Sequence, residues 1–127
     1  MAAPKDLKFS KTHEWVKFLD DSTALTGLTD FAQKSLGDLV FVNMPAVGDK
    51  VTCGEPFTDI ESVKAVSEIN SQITGVIVDV NFDVGNAPQK INEDPYGSWV
   101  IKVGEISKKA DLMNAEDYDK FCESEGN

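Results

Sequence analysis

Lys64 is the residue whose type and setting best support chemistry in this chain. It stands within residues 57–69, FTDIESVKAVSEI, where two short β-branched and apolar segments, 57–60 and 66–69, flank the small-residue turn Ser62-Val63-Lys64-Ala65. That pattern predicts a hairpin with one lysine at its tip. A primary amine on a four-carbon stem is open to acylation, which removes its charge and lengthens the side chain into a tether for a group carrier such as lipoate or biotin. The small neighbours Ser62 and Ala65 leave room for a modifying enzyme. The same residues also describe an ordinary solvated lysine in a turn, and the tip alone does not separate the two.

Other chemistries have less to draw on. His13 is the one histidine, and a lone histidine beside a tryptophan is more often structural than catalytic. No Gly-x-Ser-x-Gly, Walker loop or dinucleotide fingerprint occurs. Cys53 and Cys122 form no Cys-x-x-Cys pair, so zinc, iron–sulfur and thioredoxin-type sites are poorly supported and both read as free thiols. Twelve basic against 22 acidic residues give a net charge of −10, which disfavours nucleic acid and anionic membranes and suits encounters with basic patches on partner proteins. No apolar run approaches the roughly 20 residues of a membrane-spanning helix. The opening Met-Ala-Ala-Pro-Lys carries neither a secretory segment nor an Arg-rich transit pattern, so the chain reads as soluble and intracellular.

The elements that must position Lys64 follow from local pattern. The 127 residues suffice for one domain, 1–127, burying roughly two-thirds of its unfolded surface. Residues 1–6 read as a frayed lead-in. Segments 15–19 and 23–26 form a hairpin around Asp20-Asp21-Ser22, with Gly27 ending its second strand. Thr29 caps a short helix near 29–36 that Gly37 stops. Residues 38–43 read as a strand buried on most sides and closed by Met44-Pro45. Turns at 47–51 and 53–56 precede the lysine hairpin, and Thr74-Gly75 opens a strand over 76–80. Val47, Val51 and Pro56 before Lys64 are echoed by Val80, Val84 and Pro88 after it, a faint sign of two similar halves that chance also explains. Residues 91–96 read as an irregular polar loop, and 99–103 as a final strand with Trp99, Ile101 and Val103 inward. A helical tail occupies about 107–124, with Asn114 as a cap between two short helical stretches. About eight short strands with minor helices indicate a small sandwich or barrel.

Four ordered segments carry a resemblance: Thr12-His13-Glu14-Trp15; Gly27-Leu28-Thr29-Asp30-Phe31-Ala32-Gln33 with Leu36-Gly37-Asp38-Leu39-Val40-Phe41-Val42; Glu61-Ser62-Val63-Lys64-Ala65; and Asn92-Glu93-Asp94-Pro95-Tyr96-Gly97. They resemble the glycine cleavage system H-protein family and span nearly the whole chain. The resemblance implies a mainly β barrel-sandwich hybrid of two small antiparallel sheets, like lipoyl and biotinyl carriers, and a protein that is itself no enzyme. It implies covalent lipoate on Lys64, attached by a lipoate ligase or lipoyltransferase. The arm would take the aminomethyl remnant of glycine from a pyridoxal-phosphate glycine decarboxylase and deliver it to a tetrahydrofolate-dependent aminomethyltransferase. Dihydrolipoyl dehydrogenase would then reoxidise it. Glu61, Ser62, Val63, Ala65 and Gly75 match positions that serve ligase recognition or hairpin shape, although Gly75 also reads as a turn glycine with positive φ. Thr12, Glu14 and Glu68 match positions that hold the loaded arm, while the two glutamates also read as ordinary solvated acids. No metal site is implied. The expected setting is a bacterial cytoplasm, or a mitochondrial matrix if the chain is a processed one, and the expected state a monomer.

Some positions depart from the family pattern. The common Ser-Pro-x-Ser-Gly becomes Ser71-Gln72-Ile73-Thr74-Gly75 without the proline, and the loop before Trp99 is one residue short. Ser35 stands where some members have histidine. Lipoyl domains of 2-oxoacid dehydrogenases usually carry Asp-Lys-Ala, and biotin carriers Met-Lys-Met, so Val63-Lys64-Ala65 favours neither. An H-like protein that relays lipoyl groups to 2-oxoacid dehydrogenases is the alternative role.

Overall fold

The computed structural model describes residues 3–125. Its nine strands among these residues form two antiparallel sheets. The larger sheet is built from β1 (Lys8–Phe9), β2 (Glu14–Phe18), β3 (Ala24–Leu28), β5 (Lys50–Val51), β8 (Ile73–Val80) and β9 (Ile101–Lys109), in the order β1-β2-β3-β9-β8-β5. The smaller holds β4 (Leu39–Val42), β6 (Pro56–Ser62) and β7 (Val66–Asn70), in the order β4-β6-β7. Four helices complete the described chain: α1 (Asp30–Leu36), α2 (Phe82–Asn86), α3 (Gln89–Glu93) and α4 (Ala115–Glu125). This is the mainly β, two-sheet architecture expected, with the short helix near 29–36 in place.

The main core lies between the sheets. Val16, Leu28, Ile73, Ile77, Ile101 and Val103 from the larger sheet meet Leu39, Val42, Ile60 and Ile69 from the smaller, with Val84 and Ile91 at the side. A second cluster gathers Ala3, Leu7, Phe9 and Trp15 beneath Ala115 and Tyr118 of α4. The larger sheet is thus covered on both faces near β2, which is why Glu14, Trp15 and Val16 are all buried. Simple alternation holds only where one face meets water.

Several local expectations fail for physical reasons. Residues 1 and 2 of the lead-in lie outside the described residues; from residue 3 it is anchored, for Ala3 is buried and donates its backbone N–H to the Asp119 carboxylate of α4. Gly27 lies inside β3, opposite Trp15 on β2, and does not end the strand. On β4 only Leu39 and Val42 are buried, because the three-stranded sheet is open on its outer face and Val40 and Phe41 point outward there. Part of the supposed loop at 91–96 belongs to α3, pinned by buried Ile91, and α2 was not foreseen. Trp99 precedes β9 and packs in the second cluster rather than continuing the strand. The tail begins as strand, since β9 runs to Lys109, whose partner is Ile73. Residues 110–113 are not helical: Met113 exchanges backbone hydrogen bonds with Phe9. Asn114 does cap α4, its Oδ1 accepting the Asp117 N–H at 2.8 Å. The echo about Lys64 does not correspond to matched elements, for Val51 lies in β5 and Val84 in α2.

Candidate functional site

Lys64 sits on the turn joining β6 to β7. The turn is tied by its backbone: Ser62 N–H donates to the Ala65 carbonyl at 2.8 Å, and Val63 N–H to the Asp38 carbonyl at 3.0 Å. Ser62 Oγ accepts from the Lys64 and Ala65 N–H groups at 3.3 and 3.1 Å, an arrangement a short hydroxyl side chain is suited to make. Val63, Lys64, Ala65 and Glu61 are exposed, and Ser62 is half-buried. Among the described residues no carboxylate pairs with the lysine ammonium. A fixed backbone under a free side chain is what a tether needs.

The neighbouring segment shapes the setting. Thr29 caps α1, its Oγ1 accepting the Ala32 N–H at 3.2 Å, and Gly37 ends it with φ +81°, a conformation that favours glycine. A Cβ at Gly37 would sit 3.6 Å from Lys64 Cε, so the lysine stem passes over the end of α1. On the outer face of the smaller sheet, Glu61 pairs with Phe41 on β4 and with Val66 on β7. Phe41 is 49% and Val66 66% exposed, so an acid lies between two apolar side chains on a solvent face beside the lysine.

Gly75 is elsewhere. It lies within β8, opposite Val51 of β5 on the larger sheet, and its φ is not in the positive region. Its need is close approach: an added Cβ would stand 2.5 Å from the Gly104 carbonyl oxygen and 2.7 Å from Val103 Cγ1. The turn reading of this glycine is corrected accordingly.

Thr12 and Glu14 are brought together, while Glu68 touches neither. Glu14 is 1% exposed. Its Oε1 accepts from the Ser10 hydroxyl at 2.7 Å, from the Thr12 hydroxyl, and from Gln72 Nε2 at 3.0 Å, and its Oε2 accepts from the Asn70 N–H at 3.1 Å. Burial raises the Glu14 pKa, and the bonds from Thr12, Ser10 and Asn70 offset only part of that. The expectation of a solvated acid therefore does not hold at Glu14: it is a buried acceptor joining β2 to the end of β7. Above it is a hollow of about 270 Å³ lined by Thr12, Asn70 and Gln72, with Ser10, Lys11, Gly54 and Asp111 around it. Glu68 is exposed on β7, opposite Asp59, and lines a separate hollow with Asn43, Phe57 and Thr58.

Ser10 and Asn70 went unnoticed in the sequence, and Gln72 stood out there only as the residue in place of the motif's proline. Ser10 could have been found, because Ser10, Thr12 and Glu14 alternate along one segment; nothing local links residues 70 and 72 to it. His13 is structural in its contacts, stacked on Phe31 at 4.2 Å and bonded to the Tyr118 hydroxyl at 2.7 Å and Glu125 at 2.6 Å. Cys53 and Cys122 are free thiols. No helix among the described residues is long and apolar enough to cross a membrane.

A two-sheet β sandwich that holds one lysine out on a tied hairpin turn defines a carrier-type scaffold, built to present an attachment point. Residues 7–125 match the family described as glycine cleavage H-protein. A glycine cleavage system H protein of Lachnoclostridium phytofermentans is 47% identical over 125 residues, covering 98% of each chain. One from Carboxydothermus hydrogenoformans is 51% identical over 127 residues, covering 97% of this chain and 96% of its own. The crystal structure of a glycine cleavage system H protein from Mycobacterium marinum superposes with a TM-score of 0.88 at 33% identity, covering 98% of this chain and all of its own. The chain belongs to the glycine cleavage H-protein family: it is a non-catalytic lipoyl carrier that shuttles within the glycine cleavage system. These matches do not favour the lipoate-relay role.

Proposed function

We propose that Lys64 is the residue that carries lipoate, joined as an amide through its ε-nitrogen. The observation that carries this reading is a lysine without an ion-pair partner among the described residues, on a turn whose four N–H groups all donate hydrogen bonds. The surrounding residues fit the group: Ser62 and Ala65 are small, and Gly37 offers no side chain where the stem crosses α1. Glu61, set between Phe41 and Val66 with Val63 beside it, is the surface a lipoate ligase or lipoyltransferase would read, apolar contact giving affinity and the acid giving register. Gly75 contributes from the larger sheet by keeping β8 and β9 in close contact.

When bound, lipoate supplies the disulfide that takes up the aminomethyl remnant of glycine and the dithiol left after delivery. Glycine decarboxylase, the aminomethyltransferase and dihydrolipoyl dehydrogenase are the partners this implies, met by a monomeric carrier in a bacterial cytoplasm or, for a processed chain, a mitochondrial matrix. The chain's own part is to hold the end of the arm. The residues that would hold an arm on Lys64 are Glu68, on the same hairpin, and Thr12 and Glu14, which meet the end of that hairpin at Asn70. A protonated amine reaching this point would find the hydroxyl of exposed Thr12 and, beneath it, the Glu14 carboxylate as acceptors. Glu68, Thr12 and Glu14 would then serve as acceptors that slow loss of ammonia to water.

Peptide mass spectrometry after treatment with lipoate, ATP and a lipoate ligase tests the assignment. A lipoyl adduct confined to Lys64, and absent from Lys64→Arg, is the expected result. A folded chain left bare at Lys64 rejects it.

A further inference from the structure

Among the described residues no partner of opposite charge is in contact with the Glu14 carboxylate. His13 is adjacent in sequence and its field favours the ionised form, but its ring is committed to Tyr118 and Glu125. Lys11 and Asp111 stand around the hollow with opposing charges. What opposes the cost of burial is therefore hydrogen bonding to the carboxylate itself. Of the four donors, Ser10 and Thr12 belong to the segment leading into Glu14, and Asn70 gives a backbone N–H. Gln72 is different. It lies between β7 and β8, is 7% exposed, and is the one donor that reaches Oε1 by a side chain from a distant part of the chain. Its Nε2 is also 3.5 Å from the Asn70 carbonyl, which keeps the amide turned toward Glu14.

We propose that Gln72 is a positioning residue for Glu14, its Nε2–H fixing Oε1 beneath the side chains that line the hollow and favouring the ionised carboxylate, so that it is ready for a cation that displaces one of those donors. The nature of that cation, an amine at the end of a loaded arm, rests on the function proposed above; the holding of the carboxylate does not. In a nearly dry site a lost charge-assisted hydrogen bond is not made good by water, so the neutral carboxyl gains at the expense of the anion. The Thr12 hydroxyl can then leave or stay, but the acceptor beneath it is weaker. A residue at 72 without a donor, such as the proline of the commoner motif, leaves Oε1 to the two hydroxyls.

The test uses the unmodified full chain first. Side-chain carboxyl ¹³C NMR follows the titration of Glu14 in the parent, in Gln72→Met, which keeps the length and removes the N–H, and in Gln72→Leu in case the first variant folds poorly. The Glu14 midpoint moves to higher pH in either variant. The second readout is ammonia release from lipoylated chain loaded with glycine and glycine decarboxylase, expected to be about tenfold to a hundredfold faster in the variant, the weight of one hydrogen bond to a charged group. A Glu14 midpoint unmoved in a folded variant overturns the proposal, as does ammonia release at the parent rate. Failure of the lipoyl reading shows separately, as a parent chain that cannot be lipoylated, and the titration still decides whether Gln72 holds Glu14.

Discussion

Glu14 and Asp30 are two carboxylates taken partly out of water, and they shift in opposite directions. At Glu14 burial dominates and raises the pKa above its ordinary 4.5 despite the hydrogen bonds. At Asp30 burial also pushes upward, but the Lys34 ammonium at 2.8 Å and the Gln33 amide outweigh it, and the pKa falls below 3.8. Linkage gives these shifts opposite consequences. The folded chain binds a proton at Glu14 more tightly than the unfolded chain, so this residue's contribution to stability is greatest below pH 4.5 and declines as pH rises through the raised value. Asp30 contributes above the ordinary aspartate range and loses that contribution as pH falls through its lowered value. Melting temperatures against pH, taken as parent minus variant, are expected to fall with rising pH for Glu14→Gln and to rise with it for Asp30→Asn. The second effect is small, about 0.3–0.5 kcal/mol, because Lys34 is largely exposed and the pair is screened. A Glu14 difference that climbs with pH would mean the carboxylate is stabilised as the anion and the burial argument is wrong.

At the scale of elements, Gly75 separates a structural from a recognition role. A methyl group there meets the Gly104 carbonyl oxygen at 2.5 Å, so β8 and β9 must move apart. Gly75→Ala is expected to cost about 1–3 kcal/mol by denaturant unfolding, while lipoylation of Lys64 in the folded fraction proceeds at the parent rate, because the lysine hairpin belongs to the other sheet. Unchanged stability with slowed lipoylation would show instead that the attaching enzyme reads this glycine. The contrast between hairpin and glycine also explains what was legible. β6, its turn and β7 are local: small residues at the tip, apolar flanks and a lysine within a dozen positions, so pattern alone found them. The capped helix from Thr29 to Gly37 was legible for the same reason. The tail was not, because Leu112 and Met113 look helical until Met113 is bound to Phe9, more than a hundred residues earlier in the chain. The polar stretch after Pro88 hid α3, whose reason for existing is the burial of Ile91. The Glu14 cluster joins residues 10, 12, 14, 70 and 72 across two sheets, and no spacing in one sequence encodes that. The outward turn of Val40 and Phe41 likewise depends on the smaller sheet having nothing on its outer face.

Over the whole molecule, two apolar clusters lie on opposite faces of the larger sheet, and only one of them supports the lysine hairpin. The core between the sheets contains Ile60 and Ile69 from β6 and β7. The cluster under α4 contains Phe9, Trp15 and Tyr118. Tyr118 fastens the second: its ring stacks on Phe9 at 4.6 Å, its hydroxyl donates to Thr29 Oγ1 at 2.7 Å, and His13 Nδ1 lies 2.7 Å from the same oxygen. Removing only the hydroxyl in Tyr118→Phe leaves the stack and is expected to cost about 1–2 kcal/mol. Removing the ring in Tyr118→Ala takes away the centre of the cluster, at about 3–5 kcal/mol if the site cannot collapse. Because α4 contacts the rest of the molecule through that cluster, β1, His13 and Thr29, and not through the core between the sheets, its loss need not travel to the opposite face. Hydrogen exchange by mass spectrometry is therefore expected to show lost protection in α4 and β1 of Tyr118→Ala, with β6, β7 and the centre of β8 still protected and Lys64 still accepting lipoate. If protection is lost everywhere together, the two clusters form one cooperative unit. Docking of α4 would then be part of what holds the lysine turn in place.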